Sequence, residues 1–366
     1  MRLRQEVRRR RLEMGESGWG APAPQPARLS GLSASKSARV AVIGAGRQGL
    51  AQCQGLRAVK GIDIVGLADV QPAILQKAAD TLRLPTHARF TDAATMLKEA
   101  APLDLVCVAT TAPSHVKLGR LALETGVRRI LLEKPMDNSL REARAFQREC
   151  RAADAVLAIN HSRRWMLDYR AITRCIGKNF IGEPRSISVA IGKGELAMHG
   201  SHYFDLCRFL LKSEPAWLSS SLEPVTSANV RGADFHDPSG FCLIVFESGA
   251  RAYIDFSSDL VTKAPFLTIK GTLGQITVDE QSGFWTLQSR SQRVWNFPFA
   301  ESLKAAPLFS RVAAEVLSGG APASSGADGV AALEMILAAH LSNERGHRPV
   351  RFPLSDEESS LKVKFP

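Results

Sequence analysis

The segment Ala41-Val42-Ile43-Gly44-Ala45-Gly46-Arg47-Gln48-Gly49 constrains this chain more than any other. An apolar run ends in a G-x-G-x-x-G turn and passes directly into a helical pattern. Gly44 permits a tight turn out of a strand, Gly46 leaves the backbone uncovered, and Gly49 lets a helix lie close on its strand. A second apolar run, Ile62–Ala68, is closed by Asp69, twenty positions beyond Gly49. Strand, glycine turn, helix, strand and acid in this order and spacing predict a βαβ unit.

The alternation continues. Apolar runs predict buried strands at Val40–Ile43, Ile62–Ala68, Leu103–Ala109, Arg129–Leu132 and Val156–Ile159. Helical patterns at Val116–Thr125 and Leu140–Ala152 lie between them, the latter with Asn138 or Ser139 placed to cap it. Continuous apolar strands separated by helices imply a doubly wound parallel sheet covered on both faces, an α/β Rossmann architecture. After Asn160 the rhythm changes. Helices are predicted at Leu167–Ile176, Tyr203–Leu211, Glu301–Leu317 and Gly329–Asn343, with a turn at Gly182–Pro184 and a strand at Arg185–Ile191. Phe241–Phe246 with Arg251–Ser257, and Phe266–Lys270 with Gln275–Val278, form two hairpins. The expected organisation is a Rossmann domain over residues 38–160. An α+β domain with an open, mainly antiparallel sheet follows over 161–366.

The glycine turn points to a ligand. A helix N-terminus offers free N–H groups and a positive dipole end, which suit a pyrophosphate. Asp69 can accept hydrogen bonds from ribose hydroxyls and would repel a 2′-phosphate, and Val70, Gln71 and Pro72 supply no arginine to welcome one. NAD is therefore expected in preference to NADP.

The net charge of +11 invites a nucleic-acid reading. Residues 1–38 carry eight Lys/Arg against three acids, so +5 of it lies there. That segment, rich in Gly, Pro and Ala from Gly15 to Gly31, is expected to be a disordered basic extension (residues 1–37). The rest shows no basic stripe interleaved with aromatics, so no nucleic-acid partner is expected. No apolar run approaches a membrane span, and the N-terminus lacks the apolar core of a secretory signal. Six cysteines, widely spaced and without a CxxC pair, suit packed thiols in a cytoplasm and no metal site. HExxH, GxSxG and Walker motifs are absent, which leaves hydrolase and kinase readings unsupported.

At Glu133-Lys134-Pro135 the strand Arg129–Leu132 ends in a distinctive tripeptide. With Val108-Ala109-Thr110-Thr111-Ala112-Pro113-Ser114-His115 and Gly200-Ser201-His202-Tyr203-Phe204-Asp205-Leu206, it resembles the Gfo/Idh/MocA oxidoreductases (glucose–fructose oxidoreductase, inositol dehydrogenase and their relatives). The resemblance runs from about Ala38 to the end. It implies hydride transfer between a nicotinamide and a hydroxyl-bearing carbon of a sugar, cyclitol or nucleotide-sugar-like substrate. Glu133 and Lys134 would lie beside the cofactor, with a cis bond at Lys134–Pro135. Residue chemistry agrees: a lysine at the carboxyl end of a parallel strand points to the ligand crevice, and its ammonium can stabilise a developing alkoxide. His202 would be the acid/base partner, since imidazole titrates near neutrality. Asp205, one helical turn on, could orient it or bind a substrate hydroxyl. Thr110, Pro113 and His115 would shape the loop over the cofactor, although His115 also suits a first helical turn. Arg164 could bind a substrate anion and Trp165 could stack on a ring, or both could be packed at the domain junction.

One departure stands out. Many family members place an aspartate four residues before that histidine, where this chain has Met198, a weak acceptor. His199, with Glu195 nearby, could share proton transfer. Met198 keeps two further readings open: a catalytically silent NAD-binding sensor, and a reductase of C=C or C=N bonds.

The open sheet carries a last expectation. Phe241, Leu243 and Val245 share one face of their strand, and Ala252, Ile254 and Phe256 share one face of the next. Helices of the same domain can cover one side of the sheet only. A homodimer or homotetramer through the other side is expected.

Overall fold

The computed structural model describes residues 37–225, 229, 231–260, 264–291, 293–300 and 305–366. The N-terminal extension lies outside these, as does the predicted start at Glu301 of a later helix.

The first sheet contains β1 (Ala38–Ile43), β2 (Ile62–Ala68), β3 (Arg89–Phe90), β4 (Leu105–Val108), β5 (Arg129–Leu132) and β6 (Val156–Ile159). All neighbours are parallel, in the order β3-β2-β1-β4-β5-β6. The order reverses between β1 and β4, which opens a ligand crevice at their carboxyl ends. Helices α1 (Arg47–Arg57), α2 (Pro72–Thr81), α3 (Ala93–Glu99), α4 (Ala112–Glu124) and α5 (Leu140–Ala152) connect the strands. Strands β4 and β6, and β5 after Arg129, are apolar because both faces are covered, and the Ser139 side chain caps α5 as the sequence suggests.

Among the described residues the second sheet has nine strands in the order β14-β13-β12-β11-β7-β10-β9-β8-β15. These are β7 (Pro184–Ala190), β8 (Pro215–Leu222), β9 (Gly240–Phe246), β10 (Arg251–Asp255), β11 (Phe266–Gly271), β12 (Gly274–Asp279), β13 (Phe284–Ser289), β14 (Val294–Pro298) and β15 (Val350–Arg351). Only β7 and β10 pair in parallel. Both predicted hairpins are present as β9–β10 and β11–β12. Its helices are α6 (Leu167–Gly177), α7 (Ser201–Leu211), α8 (Ala305–Leu317) and α9 (Gly326–Glu344).

The two halves interlock. Helix α8 returns to the first half and lies on α1, where a Cβ at Gly55 would meet the Ala306 carbonyl at 2.5 Å. The Ser310 hydroxyl donates to the Gly55 carbonyl there at 2.7 Å. Helix α9 packs on β8 and α7 and presses Gly326 and Gly329 against Leu157 and Ile159 of β6. A Ser325–Asp328 capping box starts it. These contacts fix the carboxyl ends of β5 and β6 relative to the segment before α7.

Candidate active site

Each glycine of the turn has a distinct steric reason. Gly44 has φ +99° and lies where a Cβ would meet the Ala109 carbonyl oxygen at 2.6 Å. A Cβ at Gly49 would meet the Gly44 oxygen at 1.8 Å. A Cβ at Gly46 would meet nothing within 4 Å, so the turn is open on the side where a ligand approaches. Gly46 is also the N-cap of α1 and provides no side-chain cap, which leaves the first amides of Arg47 and Gln48 for an anion. The Ala45 amide donates to Asp69 at 2.8 Å, and the Gln71 amide donates to its other oxygen at 2.9 Å. Asp69 thus fixes the turn and retains lone pairs for a ribose. An open cradle, uncapped amides and an acid beside them fit a dinucleotide.

Beyond the crevice, α4 begins at Ala112, four residues earlier than the sequence pattern suggests, with Pro113 in its first turn. The Thr110 and Ser114 hydroxyls lie 2.7 Å apart and close the loop before it. His115 is 1% exposed, and its Nδ1 lies 2.8 Å from the Pro135 carbonyl. Burial lowers its pKa to about 4, so the ring is neutral and donates from Nδ1. It therefore braces the segment after Lys134. The Lys134–Pro135 bond is cis, as the family resemblance implies. The Glu133 carboxylate is turned inward, accepting from Gln52 and Asn160 at 2.8 Å each.

Lys134 is 7% exposed at the carboxyl end of β5. Its Nζ donates to the Met198 carbonyl at 2.8 Å and lies 3.7 Å from the Met198 sulfur. Burial lowers its pKa to about 8, with the Glu133 charge acting in the opposite sense. Met198 lies in a five-residue π-type turn, Leu196–Gly200, ahead of α7. Asp237, 6% exposed, holds that turn by accepting the Ala197 and Met198 amides at 2.7 and 2.9 Å. Burial pushes its carboxyl up to about 7 against those two hydrogen bonds. His202 follows in the first turn of α7. Burial and then the Lys134 charge hold its pKa well below the usual imidazole value. Its Nδ1 is buried without a hydrogen-bond partner, so that nitrogen does not tie the ring to the backbone. His199 is half exposed, and its Nδ1 accepts from the Glu195 amide at 3.1 Å, which places the ring proton on Nε2.

Three residues expected to touch substrate do something else. Asp205 accepts both forks of Arg164 at 2.7 Å, and Arg164 also meets Asp328 at 2.8 Å. With its donors engaged, Arg164 has none aimed at a ligand. Trp165 is 0% exposed, with no free ring face. Nor is Asp205 found orienting His202; it lies 3.5 Å from His161, whose ring stands edge-on to His202 at 6.4 Å between centroids. These residues support the wall behind the site. Arg163 is engaged too, with Glu280 at 2.8 Å through two nitrogens. Asp237, Arg231 and His161 are the site residues that the sequence did not single out. Asp237 and Arg231 fall in the long connection between β8 and β9, where no motif marks them. Among the described residues no cluster of His, Cys, Asp or Glu could hold a metal ion.

Comparison with known proteins agrees with this geometry. Residues 38–161 match the oxidoreductase-family model with the NAD-binding Rossmann fold, and residues 182–277 match the GFO/IDH/MocA C-terminal domain. The chain is 31% identical over 233 residues to a D-apiose dehydrogenase of Paraburkholderia graminis, covering 59% of this chain and 60% of that protein. It is 27% identical over 344 residues to the D-apiose dehydrogenase of Rhizobium rhizogenes, covering 84% of this chain and 95% of that protein. An inositol dehydrogenase homologue from Azotobacter vinelandii, crystallised with NADH and myo-inositol, superposes with a TM-score of 0.76 at 17% identity. That match covers 87% of this chain and 98% of the other. Motif, fold and relatives agree, and the chain belongs to the Gfo/Idh/MocA family of NAD-dependent oxidoreductases.

Proposed function

We propose that this protein oxidises a secondary hydroxyl of a sugar or cyclitol with NAD, or runs the reverse reduction. The observation that carries the reading is the state of Lys134: buried at the end of β5, without an ion pair among the described residues, and held by the carbonyl of the turn that leads into His202. NAD, seated by Gly44–Gly49, Asp69 and the amides of α1, supplies a hydride acceptor. The Lys134 ammonium donates to the reacting oxygen and stabilises negative charge developing there. His202, held neutral by burial, accepts the hydroxyl proton. In reduction the same two groups act in reverse, with His202 returning the proton. Asp69 supports a preference for NAD over NADP. Relatives named D-apiose dehydrogenase give no support to a silent sensor or a C=C or C=N reductase.

The outer face of the second sheet supports a homodimer or homotetramer, and six buried free thiols support residence in a reducing compartment such as the cytoplasm. The decisive experiment is fluorescence titration with NADH and NADPH, followed by aldoses and polyols with the oxidised cofactor. NADH is expected to bind more tightly, with turnover of at least one substrate. Lys134→Ala is expected to cut kcat by about 10²–10³-fold while NADH still binds. Undiminished turnover in that variant removes Lys134 from the chemistry.

A further inference from the structure

Two cations converge on Met198. The Arg231 Nη1 lies 3.0 Å from the Met198 sulfur, and the Lys134 Nζ lies 3.7 Å from the same atom. Two cations thus share one thioether, among the weakest acceptors a side chain offers. Neither makes an ion pair within 4.0 Å among the described residues, unlike Arg163, Arg164 and Arg208, which all do. Three carboxylates, Glu133, Asp237 and Glu195, act on both cations from a distance and none forms a salt bridge with either among the described residues. Both Asp237 oxygens accept backbone amides, and Glu133 accepts from Gln52 and Asn160. Arg47 adds a further positive charge close enough to depress Arg231, after burial as the larger cause. Arg231 retains solvent access as a residue, at the edge of this cluster.

We propose that the physiological substrate is a polyol bearing a carboxylate or phosphate, whose anionic group is seated on Arg231 beside Met198 while its hydroxyl meets Lys134. The ligand brings the negative charge that position 198 does not supply. Charge-assisted hydrogen bonds to a guanidinium are among the stronger and more directional contacts available, and arginine suits the planar, two-pronged recognition of both anions. This rests on the dehydrogenase reading and narrows its substrate class.

The test is binding to the NADH-loaded protein, using matched probes: D-glucitol, D-gluconate and D-glucitol 6-phosphate, with the equivalent inositol and inositol phosphate. At least one anionic probe is expected to bind ten-fold or more tightly than its neutral partner. Comparing carboxylate with phosphate tells which anion the site takes. Arg231→Gln is expected to abolish that advantage and leave NADH affinity unchanged. Met198→Asp, which places a carboxylate between the two cations, is expected to reverse the preference toward the neutral probe. Neutral probes binding as well as the anionic ones would overturn the proposal and leave the dehydrogenase reading standing. Loss of NADH affinity in Arg231→Gln would overturn it in another way, by assigning the arginine to the cofactor pyrophosphate. If NADH binds and no polyol of either kind does, the dehydrogenase reading falls and takes the proposal with it.

Discussion

Burial brings the Lys134 ammonium to about 8, so its charge changes within the range where dehydrogenases are assayed. The lysine is charged below that value and neutral above it. If the ammonium stabilises the reacting oxygen, kcat/KM for oxidation falls as pH rises through about 8, and the reverse reduction falls with it. His202 contributes no limb in that window, because burial keeps it neutral well below. A rate that instead climbs through pH 8 would make Lys134 the base. Lys134→Arg, if active, retains its charge and should flatten the limb. Lys134 and His202 were both visible in the sequence, through position after a strand and through motif. Asp237 was not, since its role depends on two amides forty positions away that only the folded turn presents to it.

At the scale of elements, the segment that carries Met198, His199 and His202 is held from behind by charge. Asp205 of α7 binds Arg164, Asp328 of α9 binds Arg164 and Arg208, and Arg208 binds Glu214. Asp205 is 1% exposed. Removing Asp205 leaves the buried Arg164 with Asp328 as its remaining carboxylate, so the cost is expected to fall below the ~3–5 kcal/mol of breaking a lone buried pair. Asp205→Ala is expected to lower the urea midpoint accordingly, with an unchanged slope if two-state behaviour holds. Retention of full stability would mean water replaces the carboxylate. The spacing of His202 and Asp205 on one helical face was legible, and suggested a catalytic pair. The structure separates them because the Arg164 fork is the better partner for a buried carboxylate. Elements were legible where a strand was an apolar run or a capped helix was amphipathic: β2, β5, β6 and α5 fall where the sequence places them. Strand β3 is two residues long, and β8 carries Ser219-Ser220-Ser221, so neither shows an apolar signal. Strands β13 and β14 pair only with one another and β12 at the far edge of the described sheet.

For the whole molecule, the second sheet has two unlike faces. Ala252, Ile254 and Phe256 are fully buried with Cys242, Ile244 and Phe246. The opposite face presents Phe241, Leu243, Tyr253 and Phe266, each 38–48% exposed. Tyr253 pairs with Leu243, and its ring lies 5.8 Å from that of Phe241. The cluster of Phe241, Leu243 and Tyr253, with Phe266 beyond Asp255 and Ala190 on the same face, suits a second copy of the same surface. Light scattering is expected to give at least twice the monomer mass, and Leu243→Asp is expected to return it to the monomer without loss of secondary structure by circular dichroism. A wild-type monomer at working concentration would leave this face without a partner of its own kind.

The sequence by itself determined the first sheet apart from β3, the turn that cradles the cofactor and the acid beside it. Those features depend on local rules: apolar runs, glycine sterics and an N-terminus within one βαβ unit. It also placed Lys134, because the end of a parallel strand is a fixed address in such a fold. Only the tertiary structure decided what surrounds that lysine. The cradling of Met198 by Asp237, the sharing of one sulfur by Lys134 and Arg231, and the capture of Asp205 by Arg164 join segments far apart in the chain. Their partners are chosen by burial, which penalises an unpaired charge wherever the fold encloses it.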